Sequence, residues 1–115
     1  MFNFEKLAVW QKAISFAGMI YRITKTFPND ERFGLTNQIR RAANSIASNI
    51  AEGSARPPAD FARFLGYASG SLNEVVTQAA IGRNEGCLST QDFEQLYRDA
   101  EEISRMLGGP QNSLE

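Results

Sequence analysis

The chain has 115 residues, enough for one domain with a core but too few for a second. Its hydrophobic and charged fractions, 43% and 22%, are typical of a folded protein and argue against a disordered one. The net charge of −1 provides no strong electrostatic field to attract nucleic acid. The single cysteine, Cys87, excludes an internal disulfide. No segment approaches the about 20 apolar residues that a membrane span needs. The first residues do not resemble a signal peptide, so we expect a cytoplasmic protein.

The charge is divided unevenly along the chain. Residues 1–63 contain nine Lys or Arg against five Asp or Glu, whereas residues 64–115 contain three against eight. One interpretation is that oppositely charged helices pair within the fold or between subunits. The other is that the basic half binds RNA or a protein partner. We favour the first, because most charge asymmetry is solvated surface.

The first predicted helix runs from about Glu5 to Thr26. Apolar side chains recur in it every three or four residues, which is the spacing of one helix face. They are Leu7, Trp10, Ile14, Ala17 and Tyr21, with Ala13, Ile20 and Ile23 beside them. We expect this face to pack in the core. Pro28 disfavours helix in the residue before it and ends the segment.

The second predicted helix, about 35–53, has few long side chains. It follows a first turn at 30–33 and a soft point at Gly34. Its apolar face holds Leu35, Ile39, Ala42, Ala43, Ile46, Ile50 and Gly53, and a narrow polar stripe beside it holds Gln38, Arg41, Ser45, Asn49, Glu52 and Arg56. An ordinary surface helix carries long Lys and Glu side chains away from its core. Their absence from Ala42 to Ala51 predicts that this helix packs on more than one side.

The third predicted helix spans about Ala59 to Asn84 and has two distinct faces. The apolar face carries Phe61, Phe64, Leu65, Ala68, Leu72, Val75, Val76 and Ala79. The second face consists of short side chains, namely Ala62, Gly66, Ser69, Gly70, Asn73, Thr77 and Ala80. Each glycine inside a helix destabilises it by about 1 kcal/mol relative to alanine. Gly66 and Gly70 therefore indicate the close approach of another helix.

The fourth predicted helix begins at Ser89, where Ser89 and Asp92 resemble a capping box, and Gly86 is expected to cap the third. Its apolar residues are Phe93, Leu96, Ala100, Ile103 and Leu107. Four amphipathic helices with short connections predict an all-α fold, an up-down-up-down antiparallel four-helix bundle. We expect a single domain over residues 1–110, ended by Gly108-Gly109-Pro110, and a frayed tail at 111–115.

The chain contains few of the residue types that catalyse reactions. The chain has no histidine, which removes the usual general base and nearly all metal sites of helical bundles. We therefore expect no enzyme activity, no metal and no cofactor, and Cys87 is incidental. The polar stripe is interpreted as a network that fixes helix register or subunit contacts, rather than as an active site centred on Glu52. This predicted register network comprises Gln38, Arg41, Ser45, Asn49, Glu52, Gly66, Gly70 and Glu74.

An RNA-binding role would use the basic half of the chain. The candidate contacts are Lys6, Lys12, Arg22, Lys25, Arg40 and Arg41. Tyr67 is the better exposed candidate for base stacking, whereas Trp10 and Tyr21 are expected to be packing residues.

Nearly the whole chain, about residues 2–107, resembles a known family. The opening motif is FEKLAVWQKA at 4–13, and the central signature includes ERFGLTNQIRRAA at 31–43 and NIAEG at 49–53. The match continues through 61–65, 70–74 and 102–107. The family is that of the bacterial four-helix-bundle proteins first described as open reading frames in intervening sequences of 23S ribosomal RNA.

The resemblance implies an antiparallel four-helix bundle that assembles as a homopentamer, with no enzymatic activity. A distant relative is the accessory protein of diversity-generating retroelements, a pentameric barrel that binds a reverse transcriptase and nucleic acid. Pro57-Pro58 departs from the family's Lys-rich start of the third helix, which weakens the case for RNA. We therefore predict a non-enzymatic oligomeric scaffold or adaptor. The alternative is a nucleic-acid-binding module using the basic half.

Overall fold

The computed structural model describes residues 1–108, which form four α-helices and no strand. They are α1 (Ala8–Thr24), α2 (Leu35–Ser54), α3 (Pro58–Asn84) and α4 (Thr90–Met106). Short 3-10 turns at Asn3–Lys6 and Asn29–Glu31 precede α1 and α2. The all-α prediction and the four predicted helices are therefore confirmed. The predicted tail, 111–115, lies outside the described residues.

The helix boundaries follow local backbone preferences. Leu7 is extended and separates the first 3-10 turn from α1, so the first predicted helix is divided in two. Gly34, the predicted soft point, immediately precedes α2. Pro58 occupies the first position of α3, where its missing N–H would have no helical partner in any case.

Gly86 ends α3 as predicted. Its φ of 78° is one that glycine adopts without the steric penalty of a side chain. The backbone N–H of Cys87 then donates to the Gly82 carbonyl at 2.8 Å, and that of Gly86 donates to the Arg83 carbonyl at 3.1 Å. These bonds satisfy the last carbonyls of the helix, as in a Schellman motif.

The cap of α4 is also confirmed. The Ser89 hydroxyl oxygen accepts a hydrogen bond from the backbone N–H of Asp92 at 3.0 Å. This bond satisfies one of the N–H groups that the first turn leaves free.

Replacing Ser89 by alanine is therefore expected to lower the free energy of unfolding by about 1 kcal/mol, the usual contribution of such a cap. Urea denaturation monitored by circular dichroism would measure the change. Thr90→Ala is the matched control, because Thr90 is exposed and lies one residue into the same helix. An equal effect of the two substitutions would contradict the assigned cap.

One core joins all four helices. The contact between α2 and α3 is the most extensive; α1 packs against α2 and α4, and α4 packs against α3. The largest fully buried side chains are Phe16, Ile20, Ile39, Ile46, Ile50, Val75, Leu96 and Ile103. The predicted apolar residues of α4 are all buried, and those of α2 are buried apart from the partly exposed Leu35.

The predicted core face of α1 is wrong in part. Ala13 and Ile20 are buried as predicted, but Ile14 and Tyr21 are exposed, and Phe16 and Met19 are buried in their place. The helix carries apolar residues around more than half of its circumference, and its spacing alone does not choose which of them meet the other helices. The consequence is an apolar edge of α1 that the fold leaves open.

Helices α2 and α3 approach each other closely at Gly53. A Cβ added there would lie 2.5 Å from Phe64 Cβ and 3.1 Å from Phe61 Cδ1. Gly82, near the other end of α3, is similarly enclosed by Leu88 and Leu35. The tight helix contact within the chain therefore uses Gly53 and Gly82, and neither Gly66 nor Gly70 takes part in it.

Within residues 1–108, no helix is both long enough and apolar enough to cross a bilayer.

Candidate assembly and binding surfaces

Four members of the predicted register network meet in one place. Gln38, Arg41 and Ser45 of α2 and Glu74 of α3 line a cleft of about 400 Å³ between these two helices. Ser71, Gln78 and Ala42 complete its lining. We call this the polar cleft. The residues come together because the polar stripe of α2 faces a similar stripe of α3 at the edge of the core.

The other polar members of the network make local contacts. The Asn49 side-chain amide donates to the Ser45 carbonyl at 2.9 Å, within α2. Glu52 lies 3.9 Å from Arg56, one turn further along the same helix, and both side chains are well exposed. Exposed pairs of this kind contribute little to stability. Neither Asn49 nor Glu52 lines the polar cleft.

Gly66 and Gly70 lie on the outward side of α3. A Cβ added at either glycine would meet no atom within 4 Å. The short side chains around them, Ala62, Asn73 and Thr77, are exposed too. The part of the small face around Gly66 and Gly70 is therefore open to solvent, whereas Ser69 and Ala80 at its edges are half-buried.

Two of the six candidate nucleic-acid contacts are engaged within the fold. The Lys12 ammonium lies 3.2 Å from a Glu102 carboxylate oxygen and 3.7 Å from one of Asp99, so it joins α1 to α4. Arg40 donates from Nε to the Thr24 hydroxyl at 2.8 Å, and its guanidinium lies 4.7 Å from the centre of the Tyr21 ring. These contacts show that opposite charges pair within the chain at Lys12.

The other four candidates remain on the surface. They are Lys6, Arg22, Lys25 and Arg41, all of them exposed. Arg41 also lines the polar cleft, as described above.

Tyr67, the candidate for base stacking, is 47% exposed but belongs to a cluster on α3. Its hydroxyl accepts a hydrogen bond from Arg63 at 3.0 Å, and its ring meets the Phe64 ring edge-on at a centroid distance of 5.4 Å. The bond to Tyr67, together with a bond to Asp60, raises the pKa of Arg63. Tyr67 is thus in contact with Arg63 and Phe64 and partly exposed to solvent.

Cys87 is buried in the turn between α3 and α4. Burial raises the pKa of its thiol, and the nearby carboxylates of Glu31 and Glu85 raise it further. A thiol is a nucleophile only when deprotonated, and this environment favours the protonated form of Cys87.

An apolar groove lies between α1 and α2. It has a volume of about 390 Å³ and is lined by Phe4, Trp10, Ile14, Ala17, Asn44, Ala47, Ser48 and Ala51. The groove exists because α2 offers only short side chains opposite the large ones of α1 and the N-terminal turn. Ile14 is 46% exposed there.

The aromatic residues of the N-terminal turn extend this apolar surface. Phe2, which is 70% exposed, stacks on Phe4 at 5.6 Å between ring centres, and Phe4 meets Trp10 edge-on at 5.2 Å. The scarcity of long side chains on α2 indicates this surface from the sequence. The contributions of Phe2, Phe4 and Ile14 become evident only in the structure.

The chain matches the family model of the 23S rRNA-intervening sequence protein over residues 5–109. It belongs to this family. The resemblance inferred from the sequence motifs is thereby confirmed.

The chain is also similar to a solved structure. That structure is of a protein with unknown function from the S23 ribosomal protein family, from Bacteroides thetaiotaomicron. The TM-score is 0.80 and the sequence identity 27%, over 87% of this chain and 94% of that one. A search of curated proteins finds no match.

Proposed function

We propose that this member of the family is a non-enzymatic oligomeric scaffold or adaptor. In this proposal the four helices form an up-down-up-down antiparallel bundle, and copies associate through the apolar groove. The observation that carries the proposal is the groove itself, where Asn44 and Ser48 of α2 are exposed beside Ile14. Contiguous exposed apolar surface of this kind marks interaction sites in proteins. A homopentamer is the assembly that the family resemblance implies.

The exposed side chains supply a driving force for association. Burying an aliphatic or aromatic side chain completely is worth about 1.5–3 kcal/mol relative to leaving it exposed. Ile14 and Phe2 can still gain a large part of this free energy on association, because they are 46% and 70% exposed in the single chain. The short side chains of α2 allow another helix to approach closely, as small residues do at tight helix crossings.

The distribution of charge favours a second copy as the occupant of the groove. The exposed cations Lys6, Arg22 and Lys25 lie on or just beside α1, whereas exposed carboxylates outnumber exposed arginines along α4. The exposed carboxylates of α4 are Asp92, Glu94, Glu101 and Glu102, and the exposed arginines are Arg98 and Arg105. Two copies can therefore place surfaces of opposite charge against each other, in addition to burying apolar area.

The mass of the particle in solution tests the proposal. Sedimentation at micromolar concentration is expected to give a multiple of the chain mass of 12.8 kDa. The association depends on apolar burial, so it is expected to survive moderate salt. A monomer under these conditions would show that the groove does not mediate self-association.

The alternative is a nucleic-acid-binding module. It would use Lys6, Arg22, Lys25 and Arg41, which are the exposed members of the basic set. Binding dominated by phosphate contacts weakens steeply as salt is added. Salt-sensitive binding of structured RNA by a monomeric protein would favour this module over the scaffold.

A further inference from the structure

A second groove, with a volume of about 310 Å³, lies between α3 and α4. It is lined by Leu72, Asn73, Val76 and Thr77 of α3 and by Tyr97, Ala100, Glu101 and Ser104 of α4. Both α1 and α3 pack against α2 and α4, so the α3–α4 groove and the apolar groove lie on opposite sides of the molecule. A single chain therefore presents two different grooves that two neighbours can occupy at the same time.

The walls of the α3–α4 groove suit the approach of another helix. Asn73 and Thr77 are exposed and short, so they leave room for larger side chains. The Thr77 hydroxyl already donates to the Asn73 carbonyl of its own helix at 2.8 Å, so its donor stays satisfied when the groove is covered. On the opposite wall, Tyr97 is 44% exposed and has apolar ring area still to bury.

The charges beside the two grooves are opposite in sign. Glu101 is the charged residue in the lining of the α3–α4 groove, and among the described residues no cation lies within 4.0 Å of its carboxylate. The helix α1, which forms one wall of the apolar groove, contains no Asp or Glu. Lys25, just beyond its end, is exposed and follows Ile14 and Tyr21 at spacings of seven and four, which place the three on one side of the helix.

We propose that the α3–α4 groove of one copy receives the apolar edge of α1 of a second copy. Ile14 and Tyr21 of that edge pack on the short side chains of α3 and on Tyr97, and the Lys25 ammonium approaches the Glu101 carboxylate. This inference rests on the proposed self-association and names the second surface of the interface.

The charges favour this contact over a pairing of two apolar grooves. A two-fold contact through the apolar grooves would bring the positively charged α1 of each copy close to that of the other, with no carboxylate on either helix. Like charges placed together oppose association, whereas the α3–α4 groove offers the Glu101 carboxylate to the same cations. An interface between unlike surfaces also leaves one edge and one groove free in a pair of copies, so that further copies can add.

Cysteine cross-linking tests which surfaces meet. Ile14→Cys and Thr77→Cys each place an exposed thiol in one of the two grooves, whereas the native Cys87 is buried. A short bismaleimide is expected to join the two single variants when they are co-expressed, and to join neither variant to itself. The double variant is expected to form covalent dimers, trimers and larger species, because each chain then carries both partners. The unmodified protein is the control for reaction at Cys87.

The outcomes separate this inference from the proposed scaffold. Covalent dimers of Ile14→Cys alone would show that two apolar grooves face each other, which would overturn the inference and leave the scaffold intact. An oligomer whose co-expressed variants do not cross-link would have the same meaning. A monomer of 12.8 kDa in sedimentation would overturn both.

Charge reversal provides a second test. Glu101→Lys and Lys25→Glu are each expected to raise the dissociation constant of self-association at least about tenfold, because each places like charges together. Combining them in one chain is expected to restore most of the affinity. Glu52→Lys is the matched control, because it reverses an exposed carboxylate outside both grooves. An effect of Glu101→Lys no larger than that of the control, or no recovery in the combined variant, would overturn the inference.

Discussion

An alanine at Gly53 is expected to lower the free energy of unfolding by about 1–3 kcal/mol, the range typical of overpacked cores. The added Cβ would lie 2.5 Å from Phe64 Cβ, a distance that real Cβ contacts essentially never reach. The opposing atom is attached directly to the α3 backbone, so a side-chain rotation cannot relieve the clash. The helices must move apart, which loosens the most extensive helix contact of the fold.

Gly66→Ala and Gly70→Ala are the matched controls for this experiment. Both glycines are helical, and a Cβ at either would meet no atom within 4 Å. Alanine is the better helix former by about 1 kcal/mol, so each control is expected to stabilise the chain slightly. Urea denaturation would compare the three variants. If Gly53→Ala proved as stable as the controls, the close crossing of α2 and α3 would be contradicted.

Much of the fold was predictable because α2 and α4 are strongly amphipathic. The apolar residues of α4 recur at alternating spacings of three and four, and the structure buries all of them. Local signals were equally informative at Ser89, Gly86 and Pro58, where the helix boundary depends on the residue itself. Predictions succeed at such positions because neighbouring residues alone determine the outcome.

Predictions from sequence were weaker where partners are distant in the chain. Ile14 and Tyr21 have the spacing of core residues, yet the position of α2 leaves them at the edge. The sequence does not identify an ion-pair partner for Lys12, because only the packing of α4 on α1 places Asp99 and Glu102 beside it. The sequence does not single out Gln78, because only the packing of the folded chain buries its amide oxygen. These features depend on which helices meet, and periodicity does not specify that.

The candidate surfaces could likewise be predicted from the sequence only in part. The short side chains of α2 could be recognised in the sequence, because no long side chain occurs from Ala42 to Ala51. The groove that it forms required the N-terminal turn to place Phe4 against Trp10. Gly66 and Gly70 were predicted to admit another helix, and the fold leaves both facing solvent. A role for these two glycines in contacts between copies stays a prediction.

The largest effect on assembly is expected from a negative charge in the apolar groove. Ser48→Glu and Ile14→Glu each place a carboxylate on a surface that the proposed oligomer buries. An uncompensated buried charge costs several kcal/mol, so both variants are expected to sediment as monomers of 12.8 kDa. The fold itself should persist, because both positions are exposed in the single chain. Circular dichroism would verify that the helix content is unchanged.

Asn37→Glu provides the control for added charge on α2. Asn37 is exposed and lies about three turns before Ser48 on the same side of the helix, outside the groove. This variant is expected to retain the mass of the unmodified protein. If Ser48→Glu and Ile14→Glu also retained the mass of the unmodified protein, the groove would not be part of an interface between copies. Gly70→Leu would then test the small face of α3, because an added leucine blocks close helix contact there. If Gly70→Leu alone lowered the mass of the sedimenting particle, the interface between copies would lie on α3.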